Sequence, residues 1–518
     1  MKNRAKQNSW SALIIQGCMI PLILLLTHAC GKDPLQPEPS ALDMSLEFSR
    51  FEPVYPRAER NSSVYFTVSN ESYDFGTGET RIVLPETVTC YAPPDASLSF
   101  VSWLKGESKI FHFEVEAQSS DPQEIKVEVV LDTALFDTTL TIQWNPAVEV
   151  TSERYAPAPE VVSTGEYLVG AHRCDLWKMT NVWDRYEERF QERQPVIGWY
   201  DEGEPEVTDW EIKYALEHGI SFFFHCWYRD QDNLGKSPVV EEFAHVLHSY
   251  DDARYGDQMG FALNWINSRC GVSGMDDLME TVMPFLIETY FKKENYLKID
   301  NKPVLMIYGP DAFISDLGGE AKAAEAIALM RQACVDAGFS GMVLQGQYCW
   351  GPSTKANEQF KAMGLEYSAP YHLPTFSQVL SNAIFPTSSD IIQGHSTFWN
   401  NQQSYGALPN IITCSMGWDS EPWGFMHSKK QWRLTPDEFQ EVLQNAKDKM
   451  DLRPQERLDS KMVLLDNWNE YGEGHYIFPT REYAFGYLDA IRNVFSDAAP
   501  GHTDLIPEDV GMDLSILK

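Results

Sequence analysis

Val463-Leu-Leu-Asp-Asn-Trp-Asn-Glu-Tyr-Gly-Glu-Gly-His475 passes from a short apolar run into a polar, aromatic loop punctuated by glycine. An apolar run of that length, with no polar alternation, reads as a strand of a parallel sheet covered on both faces. Working back along the chain, similar runs recur at 167–171, 221–227, 260–264, 303–308, 341–345, 365–368 and 409–414, which with 462–466 makes eight. Helical patterns separate them at 205–218, 237–250, 275–291, 319–337, 355–363 and 435–449, and a closing helix falls near 481–496. Ser237-Pro238 and Thr435-Pro436 each set a capping hydroxyl before a proline at the first helical position. Eight β/α units over residues 160–500 predict a (β/α)₈ barrel. An open doubly wound sheet is the rival, but no G-x-G-x-x-G or G-x-x-x-x-G-K-[ST] loop follows a strand to favour it.

Upstream of the barrel the pattern changes. Residues 42–150 carry short β-rich runs at 63–68, 80–83, 109–115, 124–130 and 138–144, and predict a small all-β sandwich. Residues 30–41 are rich in proline and polar groups, as a tether is. Residues 1–29 place Lys2, Arg4 and Lys6 before a broken apolar stretch that ends Thr27-His28-Ala29-Cys30, the layout of a secretory signal. The stretch is too short and interrupted to span a bilayer. Its end resembles a bacterial lipobox, which implies cleavage before Cys30, acylation of that thiol and an outer-membrane or cell-surface lipoprotein; an ordinary secretory signal is the alternative. Residues 501–518 form a C-terminal tail.

The length of 518 residues fits more than one core. The formal net charge is −34, and loss of the first 29 residues would remove three positive charges and no negative ones. Such a surface repels phosphate backbones and anionic lipid, so nucleic acid is excluded as a partner and membrane contact is expected through lipid alone. Cysteines at 90, 174, 226, 270, 334, 349 and 414 have no paired metal or disulfide spacing. Asp230-Gln-Asp-Asn-Leu-Gly with Glu241 imitates a calcium loop, but Leu234 occupies a ligand position and a strand precedes it. No metal, no cofactor and a monomer are expected.

In a barrel the reactive groups sit where strands end. The last strand leads to Glu470 and Glu473, and in a turn a spacing of three sets two carboxylates on one side. Glycosidic cleavage needs that pairing: one carboxyl protonates the leaving oxygen and the other acts as base or nucleophile. Trp468, Asn469 and Tyr471 flank them, and the aromatics would desolvate one carboxyl and raise its pKa. Taken alone, two glutamates at this spacing are far more often an exposed face. Other strand ends supply candidate sugar contacts: Tyr200 and Asp201, then His225, Trp227 and Tyr228, then Asn264 and Trp265, then Tyr308, then Tyr348, then Trp418 and Asp419. For any one of them, a place in the core is the competing reading.

Asn467-Trp-Asn-Glu-Tyr-Gly-Glu-Gly-His-Tyr-Ile-Phe-Pro479 resembles the N-E-W-x-E-G-x-x-I-x-P signature of family 99 glycoside hydrolases, the endo-α-mannosidases, and of the related WbsX-type proteins. Pro195-Val-Ile-Gly-Trp-Tyr-Asp201, Ala215–Tyr228 and Asn301–Tyr308 add to the likeness, and Ser415-Met-Gly-Trp-Asp419 resembles the G-[FW]-D loop of the WbsX-type set. The resemblance covers about residues 165–497. It implies an α-glycan hydrolase, endo-acting on an α-mannan-like chain, that retains configuration through the sugar's own 2-hydroxyl. Glu470 would deprotonate that hydroxyl and Glu473 would be the general acid. Tyr471 and Gly472 stand where the family has Trp and His, so the sugar's identity does not carry over. A WbsX-type glycosyltransferase and a non-catalytic glycan-binding lipoprotein are the alternatives.

Overall fold

The computed structural model describes residues 42–499 and 501–517, apart from 53–55, 132–133, 148–150, 178–179, 232–233, 236–238, 349–353, 373–385 and 425–430. The signal segment, Cys30 and the tether lie outside the described residues. Among the described residues no helix is long and apolar enough to cross a membrane.

Eight strands build the N-terminal β domain: β1 Met44–Glu52, β2 Asn61–Asn70, β3 Gly78–Val83, β4 Val88–Ala92, β5 Ser97–Phe100, β6 Ser108–Ala117, β7 Gln123–Leu131 and β8 Ala134–Ile142. They form two antiparallel four-stranded sheets, ordered β1-β2-β6-β4 and β5-β3-β7-β8. Alternation decides which side chains meet between the sheets. Ile125, Val127 and Val129 of β7 join Phe66, Phe111 and Trp103 in one core. The sequence reading missed β1, β4 and β5, of which β4 and β5 are short and mostly half-exposed.

The barrel strands are β9 Leu168–Arg173, β10 Phe222–Arg229, β11 Gly260–Trp265, β12 Lys302–Tyr308, β13 Val343–Tyr348, β14 Tyr367–Pro370, β15 Ile412–Ser415 and β16 Met462–Asp466. All pair in parallel, in the order β14-β13-β12-β11-β10-β9-β16-β15. The ring closes between β14 and β15, where Ser368 N donates to Pro409 O at 3.0 Å and Ile411 N donates to Ser368 O at 2.8 Å. The (β/α)₈ barrel preceded by a β domain is thus present.

The helices follow from the same pattern, with differences. Thr435 caps the helix Pro436–Asp451 in a reciprocal box with Glu438. The helix expected from Ser237-Pro238 instead begins at His245, after a two-residue strand at Glu241–Glu242; residues 236–238 lie outside the described set. The helices Thr180–Arg189, Pro310–Asp316 and Ser388–Tyr405 were not anticipated. The last of these is rich in Ser, Asn and Gln, and its apolar stripe is sparse. The C-terminal segment packs on the barrel rather than trailing from it: Asp201 N donates to Leu517 O at 2.7 Å, and Leu517 is buried.

The two domains meet through arginines of the β domain. Arg57 Nε lies 3.1 Å from Glu204, and Arg60 reaches both Glu204, at 2.6 Å, and Glu206. A cavity of about 590 Å³ opens beside this junction, lined in part by Arg60, Tyr91, Glu116, Asp252 and Arg254. None of its lining residues belongs to the strand ends that carry the carboxylates.

Candidate active site

Strand β16 ends with Asp466 turned into the barrel, and the chain then folds back as a tight hairpin. Asn469 pairs with Tyr476 and Glu470 with His475, and the N–H groups of Glu473 and Gly474 both donate to Glu470 O, at 3.2 and 3.1 Å. Gly474 has φ +72°, and a Cβ there would stand 2.6 Å from Asp419 N. Glycine therefore lets the 417–419 loop close on the hairpin, where Asp419 N donates to Glu473 O at 2.6 Å.

That turn returns His475 to the side of Asp466 and Glu473. His475 Nδ1 donates to Asp466 Oδ1 at 2.5 Å, and Nε2 lies 3.0 Å from Glu473 Oε2. Burial opposes a charge on His475, but Asp466 and Glu473 outweigh it and raise its pKa to about 10. Asp466 is itself fully buried, yet His475 and His372 hold it well below the usual carboxylate range. Its other oxygen accepts from His372 Nδ1 and from Ser415 Oγ.

Glu470 is buried and Glu473 is partly open, with a fifth of its side chain exposed. Burial first, and then the nearby charge of Glu473, push the Glu470 carboxyl up to about 7. Tyr371 Oη donates to Glu470 Oε2 at 3.4 Å and accepts from Asn467 Nδ2 at 3.0 Å. Cys174, Tyr228 and Tyr371 surround Glu470, and Cys226 and Tyr308 belong to the same cluster, a mixed thiol and phenol wall of a kind that carries both flat apolar rings and hydroxyls.

The predicted contacts divide by the face of the strand each one occupies. Along β10, Cys226 and Tyr228 belong to that wall, while the alternate residues His225 and Trp227 turn outward to the helices. His225 Nδ1 lies 2.8 Å from Asp175, and Trp227 Nε1 donates to Glu241. Both are core residues and not sugar contacts. Trp265 likewise points out, donating to Cys270 O at 2.9 Å. Asn264 points in, but its amide is spent on Gln347 at 2.7 Å, deep in the barrel. Tyr348 is buried and accepts from Asn410 at 3.1 Å. Tyr308 stands at the mouth beside Tyr228.

The same correction applies to the hairpin's neighbours. Trp468 is fully buried against Phe223 and Phe478 and donates to Glu211 at 3.2 Å. Tyr200 and Tyr471 touch through their hydroxyls at 3.2 Å beneath Trp177 and Trp183. Asp201 accepts from Gly203 N at 2.8 Å under the C-terminal segment, which leaves it 3% exposed. Asn469 is structural: its Oδ1 accepts from Cys174 N at 3.0 Å, and its Nδ2 donates to Glu202 at 2.5 Å. Trp418 does stand at the site, stacked on His475 with centroids 5.3 Å apart. Asp419 is engaged by Arg193, which also donates to Tyr471 O at 2.5 Å, so this pair clamps the hairpin.

Sequence reasoning missed Asp466, Tyr371, His372 and His475 as site residues. The signal was available for two of them: Tyr371-His372 follows the sixth strand directly, a strand end from which no contact was drawn.

Residues 275–491 match the family described as Glycosyltransferase WbsX. The chain is 22% identical over 347 residues to the uncharacterized protein WxcX of Xanthomonas campestris pv. campestris, across 62% of this chain and 46% of WxcX. It thus spans about half the length of that curated relative. Among solved structures it is similar to a glycoside hydrolase-like protein, at 18% identity and TM-score 0.49 over 67% of this chain and 99% of that one. It is also similar to the family 99 endo-alpha-mannosidase of Bacteroides thetaiotaomicron, at 12% identity and TM-score 0.44 over 64% of this chain and 96% of that one. The likeness to the WbsX-type set expected from the motifs is therefore present over residues 275–491.

Proposed function

We propose that this chain is a glycan-active enzyme that hydrolyses α-linked glycosidic bonds, with Glu470 and Glu473 as the working carboxylates. The observation that carries the proposal is the asymmetry of the pair: one carboxyl buried at the barrel mouth and raised to about 7, the other partly open beside a cationic imidazole. A raised pKa makes Glu470 a stronger base when ionised, which suits removal of a proton from a sugar 2-hydroxyl. Following the family resemblance, that oxygen attacks C1 as the C1–O bond to the leaving sugar breaks. Glu473 protonates the leaving oxygen, and His475 keeps a proton within hydrogen-bond reach of Glu473. Water then opens the 1,2-anhydro ring, restoring both carboxyls and leaving the configuration retained. Tyr228, Tyr308, Tyr371 and Trp418 would offer hydroxyls and ring faces to the bound glycan.

The proposed setting is outside the cytoplasm, with Cys30 lipidated and the β domain between anchor and barrel. The match to a family described as glycosyltransferases favours a second reading, transfer to an acceptor at the same carboxylates. Export argues against it, because nucleotide-activated donors are cytoplasmic.

A pH–rate profile tests the assignment. Glu470 must be ionised to act as base, so kcat/KM is expected to rise with pH through about 7. It then falls as His475 loses its proton towards about 10. In His475→Gln the alkaline limb should be lost and the acidic limb should move up, because the imidazolium no longer holds the Glu470 carboxyl down. A profile flat between pH 6 and 8 would remove Glu470 from the role of base.

A further inference from the structure

The helix Pro205–Glu217 runs back from the barrel mouth and ends at the opposite face, where it meets the closing helix Gly486–Phe495 and the C-terminal segment. These three elements bring five ionisable side chains together: Glu217 and His218, Asp489, and His502 with Asp504. His502 Nε2 lies 3.2 Å from Glu217 Oε2 and 3.6 Å from Asp504 Oδ1. His218 Nε2 lies 3.3 Å from the same Asp504 oxygen and 3.8 Å from Asp489 Oδ1.

The tautomer of His218 makes this more than an acidic cluster. The residue is fully buried, and its Nδ1 sits 2.7 Å from the carbonyl oxygen of Tyr214. A carbonyl only accepts, so Nδ1 carries the hydrogen, and in the neutral ring Nε2 presents a lone pair. That lone pair faces two carboxylates, an arrangement of acceptors that repels unless something positive lies between them. Neither His218 Nε2 nor Asp504 Oδ1 completes a hydrogen bond with any described residue, although they are 3.3 Å apart.

A metal ion accounts for the spacing. In a tetrahedral shell with bonds of about 2.0–2.2 Å, neighbouring ligand atoms stand roughly 3.3–3.6 Å apart. The Nδ1–H to carbonyl contact is also the outer-shell support that fixes a metal-binding histidine. Beside the site, Glu217 Oε1 accepts from Lys213 Nζ and from Glu160 N, and its Oε2 lies 3.2 Å from His502 Nε2.

We propose that His218, Asp489 and Asp504, whose ligand atoms all lie within 4.8 Å of one another, form the core of a zinc-type divalent metal site. Mixed imidazole and carboxylate donors suit such an ion, and the half-exposed Asp489 leaves it a way in. The ion ties residue 504 to the barrel, and so seats the segment whose Met512 meets Trp210 and whose Leu517 meets Asp201. This structural site is independent of the chemistry at the mouth.

The test uses the whole protein, stripped with chelator and titrated with Co²⁺ and then Zn²⁺. The native chain should bind a single equivalent, develop the visible absorption of four-coordinate cobalt, lose it to Zn²⁺, and gain several degrees in thermal midpoint. Asp489→Asn and Asp504→Asn change side chains at the periphery and should still fold. Each should weaken binding by more than about 100-fold, above the loss expected from an outer-shell change. Absence of both the cobalt spectrum and the thermal shift in the native chain would overturn the site, as would undiminished binding by both variants.

Discussion

Glu470→Gln lowers kcat on a cleavable glycan by roughly 10²–10⁴-fold, the range contributed by a positioned acid or base, while the fold is kept or strengthened. The two halves of this result share one cause. Burial and the Glu473 charge raise the Glu470 carboxyl to about 7, so above that pH the native fold carries an ionised group that it disfavours. The sign follows from linkage: a carboxyl raised on folding costs nothing below its unfolded pKa, and costs progressively more as pH climbs to the folded value. Removing the charge should leave stability at pH 4 unchanged and add up to about 3 kcal/mol at pH 8, reduced by whatever the amide leaves unpaired. Kinetics with denaturant unfolding at the two pH values would check it. Loss of activity together with loss of stability at pH 8 would make Glu470 a structural residue.

Arg173→Met has the largest effect expected on the fold. Arg173 is fully buried, donating to Asp175 at 2.7 Å and to Glu211 at 2.5 Å, with Glu202 at 3.7 Å. Burial works against its charge, and these three acids sustain it. Deleting the cation leaves buried carboxylates uncompensated, which costs about 3–5 kcal/mol. The same network holds the site, because Trp468 donates to Glu211, and Glu202 receives both Asn469 Nδ2 and Trp177 N. Activity should therefore fall with stability, and Arg173→Lys should recover part of each by restoring charge without the planar fork. Denaturant unfolding of the three forms measures this, and an unchanged midpoint in Arg173→Met would deny the network its role.

The barrel was legible because parallel strands, covered on both faces, appear as continuous apolar runs, and all eight fell within a few residues of their expected places. The same property hid the site's lining. In Phe222–Arg229 both faces are apolar or aromatic, so nothing in the sequence distinguishes Trp227, which faces the helices, from Tyr228, which faces the cleft. Only the register of the closed ring does so. Glu470 and Glu473 could be read because a glycine-bearing loop follows a strand. His475 could not, since its role depends on the hairpin returning it to Asp466. Asp201 was misread for another reason: a segment some three hundred residues later covers it, and no local pattern records that contact.

The most direct test is digestion of α-linked oligosaccharides in ¹⁸O-labelled water, followed by mass spectrometry, with the native chain, Glu470→Gln and Glu473→Gln compared. The account predicts ¹⁸O in the newly released reducing end with the native chain and release slowed by at least about 100-fold with either variant. Equal cleavage by both variants, or products formed only with an added activated donor and without ¹⁸O, would contradict it.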